Sequence, residues 1–103
     1  MDARELRDLA WIGDAVLALY AREWLLQQPG HPLFTRQELF TRFTSNSFLQ
    51  ALGEPTWVEA QIGIAYQQGG LQAGYTYIDD NLKPLFSKHL NRAAAGRRGQ
   101  KKR

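Results

Sequence analysis

Leu6, Leu9, Gly13, Val16, Tyr20 and Trp24 recur at spacings of three and four residues, the period of one face of an α-helix. No alternation of apolar and polar residues, the mark of a half-buried strand, runs to a useful length anywhere in the chain. The pattern predicts an all-α fold of four or five helices. The first helix is expected from Asp2 to Gln28. Asp2 stands at the N-cap and Glu5 three residues on, and Pro29-Gly30-His31-Pro32 forms the stop.

The same reading continues along the chain. Thr35, with Glu38 three residues later, is a second cap. Leu39, Phe43, Phe48, Leu49 and Leu52 carry a second helical stretch, with a break near Ser45-Asn46. After Gly53-Glu54-Pro55, Thr56 is expected to cap a third helix that runs through Gln68 on Val58, Ile62 and Ala65 or Tyr66. Gly69-Gly70 stops it, because glycine supplies the left-handed C-cap. A fourth helix over Leu71 to Leu82 carries Tyr75 and Ile78, and Leu85, Phe86 and Leu90 imply a further turn or two around Pro84. From Ala93 onwards the chain reads as unstructured.

Length and composition narrow the function classes. At 103 residues there is room for one domain, and a domain this small buries so little of its surface that self-association is favoured. The absence of cysteine excludes a disulfide scaffold and a thiolate zinc site. His31 and His89 lie too far apart in sequence to suggest a histidine-rich metal site. The apolar run Leu9–Ala21 is too short to span a bilayer and contains Asp14. The start, with Asp2, Glu5 and Asp8, is unlike a signal peptide, so the chain reads as cytoplasmic with no membrane partner.

The net charge of +3 hides an asymmetry. Six basic residues and no acid lie between Arg92 and the end, which leaves seven basic against ten acidic residues in the first 91. The chain therefore divides into a mildly acidic body, 1–91, and a basic tail, 92–103. Arg97, Arg98, Lys101, Lys102 and Arg103 suit a polyanion, above all RNA. A solubilising frayed end is the other reading of the same charges.

Two acids stand out by their surroundings. Asp14 is the only charged residue between Leu9 and Ala21, and Glu59 the only one between Pro55 and Leu71. Each lies in an apolar helical stretch where an unpaired charge is costly to bury. Two carboxylates on neighbouring helices can share a hard divalent ion such as Mg²⁺. Alternatively, each pairs with an arginine or faces solvent. Gly13 and Gly63 lie close by in helix interiors, where glycine costs about 1 kcal/mol relative to alanine. A close approach of the two helices is the expected reason for them.

The run Trp11-Ile12-Gly13-Asp14-Ala15-Val16-Leu17 resembles the signature helix of ribonuclease III domains. Thr44-Ser45-Asn46-Ser47-Phe48-Leu49 is similar to that family's Val-Ser-Asn segment. Val58-Glu59-Ala60-Gln61-Ile62-Gly63-Ile64-Ala65-Tyr66, followed by Gly69-Gly70-Leu71, resembles its second acidic helix. The three blocks occur in the family's order and cover most of residues 9–86.

The resemblance implies a homodimeric helical fold and Mg²⁺-dependent cleavage of double-stranded or structured RNA, leaving 5′-phosphate ends. Asp14 matches the second of the family's four acids and Glu59 the fourth, as catalytic and metal-binding residues. Ala10 and Thr56 stand at the other two places, as in the compact Mini-ribonuclease III branch, whose best-known task is trimming ribosomal RNA precursors. Thr56, one turn before Glu59, is implied to position water at the metal, beside its reading as a cap. Trp11 falls at the family's dimer contact, with an ordinary core tryptophan as the alternative.

One departure matters. Only Gln50 to Pro55 intervenes where the family carries a longer RNA-gripping excursion, and the basic tail is the expected substitute. A ribonuclease III-like module that binds RNA or ribosomal particles without cutting is the competing reading. A helical interaction dimer unrelated to RNA is a third.

Overall fold

The computed structural model describes residues 1–101, and side-chain surroundings as far as Arg97. Its elements are α1 (Ala3–Gln27), α2 (Arg36–Phe43), α3 (Asn46–Leu49), α4 (Pro55–Asn81) and α5 (Lys83–Lys101). The all-α expectation holds, and there is no strand among the described residues.

The caps explain most of the boundaries. Asp2 Oδ1 accepts the Glu5 N–H at 2.8 Å and opens α1. Thr35 and Glu38 form a reciprocal capping box at α2, with bonds of 3.1 and 3.0 Å. Ser45 breaks the second stretch into two: its hydroxyl donates to the Arg42 carbonyl at 2.7 Å and accepts the Phe48 N–H at 3.1 Å, so it closes α2 and caps α3.

The cap expected at Thr56 is displaced to Glu54. Pro55 occupies the first helical turn, where its missing N–H costs nothing. Glu54 then accepts the N–H groups of Thr56 and Trp57 at 3.1 and 2.9 Å.

The stop at Gly69-Gly70 becomes a sharp bend within α4. Gly70 adopts φ 77°, ψ −170°, a region that only glycine enters without strain. Beyond it the helix folds back. A Cβ built on Gly74 would lie 3.7 Å from Tyr66 Cβ and 3.9 Å from the Ile62 carbonyl oxygen. In a straight helix twelve residues would separate Ile62 and Gly74 by about 18 Å.

Both limbs of α4 therefore pack on α1. The first limb crosses it at Gly13 and Gly63. The second meets Val16 through Gly74 and reaches Tyr20 through Tyr75, whose rings stand edge to face at 5.1 Å. Leu17, Val58, Ile62, Ile78 and Leu82 are fully buried between these elements. Phe43, Phe48 and Phe86 extend the core toward α2, α3 and α5, with ring centroids 4.8 to 5.7 Å apart.

The tail reading needs correction. From Ala93 the chain is not unstructured: α5 continues through Lys101, and Ala94 is buried. Arg97 supplies the reason. Its guanidinium donates to Glu38 Oε2 and to the Leu33 carbonyl, both at 2.6 Å, and lies 4.4 Å above the Phe34 ring. Read as charge alone, the tail hides this fixed partner on α2.

Gly13→Ala tests the helix crossing. An interior glycine-to-alanine change ordinarily gains up to about 1 kcal/mol. Here the added Cβ would fall 1.7 Å from the Glu59 carbonyl oxygen, so the expected result in urea unfolding is a loss of about 3 kcal/mol. A gain in stability would rule out the close contact.

Candidate functional site

The Gly13–Gly63 crossing decides where the two singled-out acids lie. A Cβ on Gly13 would meet the Glu59 carbonyl, and one on Gly63 would stand 2.1 Å from the Leu9 carbonyl oxygen. The backbones of α1 and α4 thus touch at these positions, with no side chain to hold them apart. Asp14 follows Gly13, and Glu59 lies one turn before Gly63 on the facing helix. Their carboxyl groups come close enough for each to act on the other.

The electrostatics of the pair follow from that contact. Burial, then the neighbouring Asp14 carboxyl, then the charge of Glu54, push the Glu59 carboxyl up to about 7. Ion pairs among the described residues join Lys83 to Asp79 and Arg97 to Glu38. Among the described residues no guanidinium or ammonium forms an ion pair with Asp14 or Glu59. Asp14 is exposed and Glu59 half-buried, so the pair opens to water on one side.

Chemically, such a pair holds either a shared proton or a shared cation. The donors fit magnesium: two hard oxygens with an open side for water, and a mutual repulsion that a divalent ion relieves. No group of three or more metal-ligating side chains occurs among the described residues. Water and substrate oxygens would complete the shell.

The remaining residues fall as follows. Thr56 sits one turn before Glu59, as expected, and its N–H donates to Glu54. Ala10 is buried one turn before Gly13. Trp11 is 78% exposed, so it is not a core tryptophan. Arg97 belongs to the α2–α5 contact described above. The side-chain surroundings of Arg98 and Lys101, and all of Lys102 and Arg103, lie outside the described residues.

Tyrosines with a polar partner also appear at the α1–α4 contact. Tyr20 donates to Asp79 and Tyr75 to Glu23. Burial and the Glu23 carboxylate push the Tyr75 hydroxyl up to about 12.

Glu54 is the functional neighbour that sequence reasoning missed. It caps α4, and its charge acts on Glu59. The signal was Pro55: a proline at the first helical position places the cap on the residue before it. Comparison with family models, with curated proteins and with solved structures finds no match. The functional reading therefore rests on the residues themselves.

The Glu59 proton has a measurable consequence. Below about pH 4.5 the carboxyl is protonated whether the chain is folded or not, and its own contribution does not change with pH. Between there and about 7 the folded protein keeps a proton that the unfolded chain releases, so stability falls as pH rises through this window. His89, held below its ordinary pKa, works in the opposite sense, so the decline should appear as the difference in denaturation midpoint between wild type and Glu59→Gln from pH 4 to 8. A difference that stays constant across this range would place the titrating group elsewhere.

Proposed function

We propose that this protein is a Mg²⁺-dependent endoribonuclease of the ribonuclease III type, acting on double-stranded or structured RNA, with ribosomal RNA precursors as the candidate substrate class. The observation that carries the reading is the meeting of Asp14 and Glu59 across a glycine crossing, with no ion-pair partner among the described residues. Paired carboxylates of this kind suit phosphodiester chemistry better than a structural role, since burying like charges together costs stability. The ordered likeness of residues 9–86 to ribonuclease III domains adds to it.

In this reading Asp14 and Glu59 hold the magnesium ion and are the catalytic residues. The ion, when bound, lowers the pKa of water and neutralises charge on the phosphate. Without the ion Glu59 holds a proton up to about pH 7, and it would release that proton when the ion binds. Glu54 keeps the local potential negative, which favours cation entry. Thr56, one turn before Glu59, would hold water beside the ion.

The active form in this proposal is a homodimer. Trp11 lies one turn before Asp14 on α1, with Ile12 and Leu19 also exposed on that helix. Burying Trp11 against a second copy would place two acid pairs about one twofold axis, one for each strand of a duplex. Trp11→Glu is expected to convert a dimer to a monomer in sedimentation velocity; an unchanged monomer in both samples would remove the dimer from the proposal.

The activity itself is tested with an end-labelled RNA duplex and Mg²⁺. Wild type should yield 5′-phosphate products, and Asp14→Asn or Glu59→Gln should lower the rate by a factor of about 100 or more. The same ion should lower the midpoint of the Glu59 carboxyl in a carbon-detected NMR titration. Binding without products in any sample would favour the non-cleaving RNA-binding module.

A further inference from the structure

A second concentration of charge lies where α2 meets α5. Arg42 stands in the last turn of α2, and its Nη1 comes within 3.5 Å of His89 Nε2 on α5. The Arg42 guanidinium also lies 4.8 Å from the centre of the Phe34 ring. His89 stacks nearly parallel on Phe86, with centroids 5.8 Å apart and planes at 13°, and meets Phe48 at 5.4 Å. Arg92, three residues along α5, is close enough for its charge to act on His89.

Two basic side chains from two helices thus meet, aromatic packing holds both in place, and Arg92 follows one turn along α5. Helix spacing offers one acid to this cluster, Glu38, four residues before Arg42. Arg97 and the α2 cap already engage it. Among the described residues neither Arg42 nor Arg92 makes an ion pair. The charged groups that act on His89 are Arg42 from α2 and Arg92 from α5, while α3 contributes only the Phe48 ring. Burial, then these two guanidiniums, hold His89 below its ordinary pKa. The cluster therefore resists its own third charge until an anion arrives.

Guanidinium forks match the oxygens of a phosphate, and a protonated imidazole adds a further charged donor. We propose that Arg42, His89 and Arg92 form a phosphate-binding site at the α2–α5 junction, whose ligand is a backbone phosphate of the RNA. The second half of this statement rests on the RNA reading above; the first does not. The site lies on different helices from the acid pair. It grips without reading sequence, because phosphate contacts position a nucleic acid and base contacts specify it.

Two measurements on the full chain test the proposal. Histidine ring signals are followed by NMR against pH, in chloride and in inorganic phosphate. Phosphate should raise the His89 midpoint, with His31 as the internal control, and Arg92→Gln, at an exposed position, should abolish the rise. Binding of an RNA duplex is then measured with divalent ions chelated. Arg42→Gln and Arg92→Gln should each weaken it about three- to tenfold and reduce the slope of log K against log salt by about one.

A His89 midpoint that phosphate leaves unmoved would overturn the site. A responsive His89 with unchanged duplex affinity in both variants would overturn RNA as the ligand and assign the site to a small free phosphate compound. If wild type binds no duplex while His89 still responds, the RNA reading fails and the anion site remains.

Discussion

The contact between Gly13 and Gly63 is the constraint on which the rest depends. Two helix backbones touch there, and the space that a single methyl would need is filled by a carbonyl of the partner helix. Leu17, Val58 and Ile62 are buried beside this contact because the helices are so close. The acids meet for the same reason. A pair of interior glycines costs about 2 kcal/mol in helix propensity, and the pair of carboxylates costs more. The fold bears both costs at one place, which is where strain and function usually coincide.

Much of this was legible from residue order. The caps at Asp2 and Thr35 and the break near Ser45 use side chains that compete for backbone N–H groups, and that chemistry is local. The glycine crossing was legible because glycine in a helix interior needs a reason. Less visible was Glu54: its role depends on the proline that follows it, and glutamate is not a favoured cap. The helical state of the tail was hidden for a different reason. Arg97 finds Glu38 from 59 positions away, and no window of sequence joins them. The exposure of Trp11 is equally tertiary, since the helical period around it does not say which face the neighbours cover.

Charge is arranged by helix as well as by sequence. The acid pair belongs to α1 and α4, with Glu54 behind it. The basic cluster of Arg42, His89 and Arg92 belongs to α2 and α5. The division of the chain into an acidic body and a basic end is therefore only part of the picture, because Arg42 lies in the body and works with α5. Arg97, from the basic end, serves the body by tying α5 to α2.

The backbone at Gly70 gives the acid-bearing limb its limited length. Any other residue there would be drawn toward ordinary helical angles, and α4 would grow into one rod of about 40 Å. Ile78 and Leu82 would swing out of the interior, while Glu59 would keep its place on the first limb. A chain altered at this point would retain the local geometry of its acids and lose the lid over its apolar centre, so damage to stability and damage to chemistry become separable within a single helix.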